Sequence, residues 1–337
     1  MTDAAHRHPP TRRAFSLSEL LALVLCVPVI GALGSVRAER TAASNRVLKD
    51  STQVRGIGQG LILWAQNNND QYVMPGAIDH QNTTLPADVT KDLPRNIASV
   101  LIFAGLVGPD LFVSPCEPNR SIVPHDGYAY SAPPLAAAPD KRLALWDPSF
   151  RAYPFDEDGP ERPEQATGGL SYAFTAYAGG RRSKWSNTFQ ATEAVVGWRG
   201  PAYDPQGQTE LTGWVLAPRA DAGRRGAGSL RTLFPAQRGG RWSGNVAFND
   251  NHVELVSRPD PETLAFTFSS LPAGRKTQFD NLFVNENDRT RRPDAEDLVD
   301  TASANTNNYL ATWGRGTANR QGGRQSLADL AGGLWWD

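Results

Sequence analysis

FSLSELLALVLCVPVIGALGSV, Phe15 to Val36, is the stretch on which the rest of the chain turns. Its one charge is Glu19, and from Leu20 to Val36 seventeen uncharged residues follow without a break. A bilayer-spanning helix takes about 17–25 such residues, so the run stands at the lower limit. Ahead of it lies a polar leader with His6, Arg7, His8, Arg12 and Arg13 against the single acid Asp3. Basic flanks stay in the cytoplasm, which predicts a cytoplasmic N-terminus and everything beyond Arg37 on the far side. Four readings fit the segment. One is a cleaved secretory signal ending near Val36-Arg37-Ala38; another is a twin-arginine export signal on TRRAFSL. A lipoprotein signal fits poorly, because bulky Leu25 precedes Cys26. The fourth is a retained helix, and Glu19 favours it. A carboxylate inside an apolar helix costs about 2.5–3.5 kcal/mol and calls for a partner, which an export signal does not need.

The helical pattern continues past the apolar run. Val47, Val54, Ile57, Leu61 and Trp64 fall at spacings of 7, 3, 4 and 3, one stripe at helical period. Arg37, Glu39, Arg40, Lys49, Asp50 and Arg55 are assigned to other faces. Gly56, Gly58 and Gly60 weaken the helix by up to about 1 kcal/mol each relative to alanine. Asn67-Asn68-Asn69-Asp70, followed by Pro75-Gly76, stops it near Gln66.

AFSLSELLALVLCVPVIGAL, Ala14 to Leu33, resembles the type IV prepilin and type II secretion pseudopilin signal: a small residue, then Phe-(Ser/Thr)-Leu-x-Glu, then the apolar run. The resemblance implies cleavage between Ala14 and Phe15 by a prepilin peptidase. It also implies methylation of the new Phe15 amine and retention of the helix. Glu19 becomes the assembly residue, its carboxylate compensated by the terminal amine of a neighbouring subunit. Ala14 replaces the usual glycine, and Pro28 lies earlier than the kinking proline of many pilins. A second stretch, GGRWSGNVAFNDNHVELV (Gly239 to Val256), alternates, turns at Asn249-Asp250-Asn251 and alternates again, which predicts a tight β-hairpin. It resembles the prepilin-processing-associated motif, a histidine, nine residues, then Asp-Gly. Asp250 matches, Asn251 replaces glycine, Gly240 stands where the histidine belongs, and His252 and Glu254 match the usual continuation. Without that histidine, no metal or catalytic role transfers to the hairpin.

Composition limits what else the chain can be. It has 337 residues, 40% hydrophobic and 20% charged, with 31 Gly and 25 Pro, the profile of a globular chain with many turns. The balance of 34 basic and 35 acidic residues gives net charge −1, so no nucleic-acid partner is expected. Residues 181–242 hold ten Arg or Lys against four acids, a local excess taken as solvated surface. Trp185, Trp198, Trp214 and Trp242 are core candidates. Ile97 to Val113 predicts a short helix, a turn at Gly108-Pro109 and a strand, and Gly168 to Gly180 predicts a strand. Cys116 has no second cysteine outside the apolar run and is expected to be a free, inert thiol. The tail from Gln278, ending in Leu334-Trp335-Trp336, is expected to pack on the headgroup. His80, His125 and His252 are isolated, and no nucleophile elbow, phosphate loop or zinc helix occurs.

Together these readings predict an α+β, pilin-like fold: a long N-terminal transmembrane helix followed by an α/β headgroup with an antiparallel sheet. The expected divisions are a leader at 1–14, a helix at 15–66 (membrane span 15–36, amphipathic continuation 37–66) and a headgroup at 67–337. The expected function is a non-enzymatic pseudopilin-like assembly subunit without cofactor or metal. It would meet a prepilin peptidase, other pilin-like subunits and the membrane, single-pass in the bacterial inner membrane with an extracytoplasmic headgroup. Two other classes stay open: an exported binding domain, and an exported hydrolase of unfamiliar type.

Overall fold

The computed structural model describes residues 17–154, 167–201, 203, 242–292, 305–330 and 334, with the side chains of residues 17–40 outside the description. Ala14 and Phe15 therefore lie outside it, as do Trp214, Trp335, Trp336 and the side chains of the 15–36 run, Glu19 included. The chain divides into two compact units, Met1–Asn45 and Arg46–Asp337. Helix α1 runs from Leu17–Gln66.

The expected fold, headed by a transmembrane helix, is corrected by the structure: no helix of the described residues is long and apolar enough to cross a membrane. The expected single-pass placement in the bacterial inner membrane, with an extracytoplasmic headgroup, falls with it. The physical reason is plain in residues 41–66. Arg46, Lys49 and Arg55 are exposed there, while Val47, Val54, Ile57 and Leu61 are buried in the core of the second unit. In the part of α1 whose side chains are described, that apolar stripe serves a protein core.

All three glycines expected to weaken α1 sit where it meets its neighbours, Gly60 with a Cβ position 3.4 Å from Val107. A Cβ at Gly56 would stand 2.8 Å from Leu111, and one at Gly58 would stand 3.5 Å from Ala247. Beyond Gln66 the helix ends on left-handed Asn69 and Asp70, with φ of 53 and 58°, and Asp70 N–H caps the Ala65 carbonyl at 3.0 Å. Asparagine and aspartate tolerate that region best after glycine.

Helix α2 is the short Pro75–Ile78, and α3 is Pro94–Phe103 with its proline in the first turn. The strand expected before Val113 is instead a 3-10 turn, Pro109–Phe112. Pro109 lacks an N–H for a sheet ladder, and its fixed φ suits a helical start. The main sheet contains β1 (Tyr172–Thr175), β2 (Ala194–Trp198), β3 (Gly244–Phe248), β4 (Val253–Val256) and β7 (Leu310–Ala311), in the order β4-β3-β2-β1-β7. Every ladder in it is antiparallel. Strands β1, β2 and β3 are buried along their whole length, so the sheet is covered on both faces. Trp185, Trp198 and Trp242 are core residues.

The tail joins this body. Strand β7 pairs with β1, and two hairpins stand apart from the main sheet. These are β5 (Ala265–Thr267) with β6 (Thr277–Phe279), and β8 (Thr317–Gln321) with β9 (Arg324–Asp329). The second is fixed to the α2–α3 connection by Gln325, which donates to the carbonyls of Ala87 and Val89 at 2.9 and 3.1 Å.

Candidate functional site

The polar groups of the second unit converge where α1 meets the motif hairpin. Asp50, fully buried, lies on the same helical stripe as Val47, Val54 and Ile57, not on the outer face assigned to it. Its Oδ1 accepts from the Ser114 hydroxyl at 2.5 Å and the Tyr172 hydroxyl at 2.9 Å, and its Oδ2 from Asn245 Nδ2 at 2.6 Å. Asn245 Nδ2 also donates to the Val47 carbonyl at 3.1 Å. One turn along, Gln53 Nε2 donates to the carbonyls of Asp110 and Val113. A loop serine and two inner strands thus close on the carboxyl of one helix residue. Burial pushes that carboxyl above the usual range, opposed by the three hydrogen bonds it accepts.

A second clamp lies four residues farther along the hairpin. Asn249, fully buried, accepts from the Tyr72 hydroxyl at 2.6 Å. Its Nδ2 donates to Glu193 Oε2 at 2.9 Å and to the Lys184 carbonyl at 3.1 Å. Glu193 also accepts from the Thr188 hydroxyl. Asn245 and Asn249 share one face of the β3 line, and between them they fasten α1 and the segment that leaves it.

Strands β3 and β4 form the hairpin, turning through Asp250 and Asn251, the latter left-handed at φ 69°. Asp250 Oδ1 accepts from the His252 N–H at 3.1 Å and pairs with His252 Nδ1, while the imidazole stacks on Phe248 with 4.5 Å between centroids. Glu254 accepts a long 3.4 Å bond from Thr263. The structure therefore joins Asp250 to His252 but leads Glu254 elsewhere. No group of three or more metal-ligating side chains occurs among the described residues.

Ser114 opens the SPCEPN turn and links it to the junction. Cys116 N–H donates to the Ser114 hydroxyl at 3.0 Å. Burial first, and the Asp50 carboxylate second, push the free Cys116 thiol up to about 12, so it is an unreactive thiol at neutral pH. Glu117 forms a buried two-pronged ion pair with Arg199 at 2.5 and 2.7 Å, just beyond β2. Such fork-to-carboxylate pairs fix orientation as well as distance.

Ser114, Tyr172, Asn245 and Tyr72 are not singled out by the sequence, which assigns Asp50 to an outer helix face and Asn249 to the hairpin turn. For Asp50 the signal was present: position 50 falls three after Val47 and four before Val54, on the apolar stripe. The two asparagines carry the same-face spacing of a strand. No protein-family model, curated protein or solved structure matches the chain.

Proposed function

We propose that this chain is a non-enzymatic structural subunit that assembles with other pilin-like chains, and that the junction around Asp50 holds its headgroup on α1. One observation carries most of this reading. The helix that begins within the prepilin-like stretch Ala14–Leu33 ends bonded, through Asp50 and Asn245, to an inner strand of the sheet. Inward-facing polar groups satisfied by one another suit a fixed joint, and the hairpin making that joint is the second stretch with a pilin-like motif. In this reading a prepilin peptidase cuts between Ala14 and Phe15, and Glu19 pairs with the Phe15 amine of an adjacent subunit.

Mass spectrometry of the protein from its native cells is expected to find a chain beginning at methylated Phe15. A start near Glu39 would instead favour the exported binding domain. Glu19→Gln is expected to leave cleavage and headgroup folding intact while lowering helix-to-helix cross-linking between subunits several-fold. Equal cross-linking in both forms removes the assembly role.

A further inference from the structure

Away from the junction, the connection between α2 and α3 brings an amine, a carboxamide and a carboxylate into contact. Lys91, buried, donates from Nζ to Asn82 Oδ1 at 2.8 Å, lies 2.8 Å from Asp79 Oδ2, and donates as well to the Asp79 carbonyl. Asn82 is half-buried and left-handed at φ 58°, its N–H bonded to the Asp79 carbonyl at 3.2 Å. We propose that Lys91 and Asn82 become joined by an amide bond formed within the folded chain, with Asp79 handling the proton.

The hydrogen bond to Oδ1 sets the amine nitrogen beside the carbonyl carbon that oxygen belongs to, so the two reacting groups are already neighbours. Asp79 Oδ2 supplies the proton path in the same contact. Nζ passes one proton to Asp79 and adds through its lone pair to Cγ of Asn82. A second Nζ proton moves to Nδ2 as the Cγ–Nδ2 bond breaks. Nitrogen departs as ammonia and takes the proton back from Asp79, leaving as ammonium. One Nζ–Cγ bond has formed, one Cγ–Nδ2 bond has broken, and nothing is oxidised or reduced. The half-buried position of Asn82 gives the leaving group a way out.

Asp79 is also prepared for the product. Removing the cation from a buried ion pair normally strands the anion. Here Asp79 keeps four other donors: the Thr83 N–H and hydroxyl at 2.7 and 3.1 Å, the Thr84 N–H at 3.2 Å and the Leu85 N–H at 3.0 Å. The carboxylate therefore stays satisfied after the lysine charge is gone.

The test is a tryptic map of the full chain, followed by mass spectrometry. Trypsin has no site between Arg55 and Lys91, so an unlinked chain yields Gly56–Lys91 at its sequence mass. The linked chain is expected to resist cleavage at Lys91 and yield Gly56–Arg95 lighter by one ammonia. Asp79→Asn, shown folded by its circular dichroism, is expected to restore cleavage and full mass. A wild-type peptide cut at Lys91 with its full mass overturns the proposal. So does ammonia loss with Lys91 still cleaved, which would place the change on an amide side chain not joined to Lys91. Either result leaves the assembly reading untouched, because this site shares no residue with the Asp50 junction.

Discussion

Asp50 shows how a single side chain can be placed correctly by spacing and misread by type. A charged residue is assigned to water by default, since carboxylates are seldom fully buried unless paired. Its position on the apolar stripe outweighed that habit, because Ser114, Tyr172 and Asn245 supply the three donors a buried carboxyl needs. No local pattern around Asp50 announces partners 64, 122 and 195 residues away. Removing the carboxyl leaves those donors buried and unpaired, so Asp50→Ala is expected to destabilise the fold by about 3 kcal/mol. Asn245→Ala is expected to lose about 2 kcal/mol through one lost side chain serving two acceptors. The two changes remove the same bond, so a double-mutant cycle in urea is expected to show a coupling of about 1–2 kcal/mol. Strictly additive losses would mean that the two residues act separately.

At the level of elements, the pieces with strong local chemistry were legible and those set by distant packing were not. The β3–β4 hairpin was readable because alternation and Asn-Asp-Asn turn chemistry agree within one short window. Asn251 sits at φ 69°, where glycine is at ease and a β-branched residue is strained. Asn251→Gly is accordingly expected to keep the thermal midpoint nearly unchanged, while Asn251→Val is expected to destabilise by about 1–3 kcal/mol in thermal unfolding. Equal behaviour of the two would show that the turn does not depend on that backbone angle. The segment before Val113 went the other way: its apolar letters suit a strand, yet Pro109 turns it into a 3-10 element whose Phe112 is buried. The glycines of α1 were read only as weaknesses, because the close approach of Leu111 that fills the space at Gly56 comes from outside the helix.

For the molecule as a whole, buried acids set the response to pH. Burial pushes the Asp92 carboxyl up to about 6, although the Gly76 N–H at 2.7 Å pulls the other way. The neutral form is the one the fold prefers. Its stabilisation is fully present below the unfolded pKa of about 3.9 and is lost as pH rises to about 6, an effect on the order of 3 kcal/mol. Asp280 and Glu286, also raised by burial, act in the same direction, so the informative quantity is a difference between variants. Thermal midpoints of wild type are expected to fall more steeply than those of Asp92→Asn between about pH 4 and pH 6. Parallel curves would show that Asp92 does not titrate in this range. The Asp50 junction also governs rotation. An α-helix advances by about 100° per residue, so a slip of one position would swing the Asp50 carboxyl away from its three donors. Lys49 would bring a cation where three groups now donate to a carboxyl, and Ser51 would be too short to reach them. The second half of α1 therefore has one admissible angular phase, and a single carboxyl fixes which side of the helix faces the sheet.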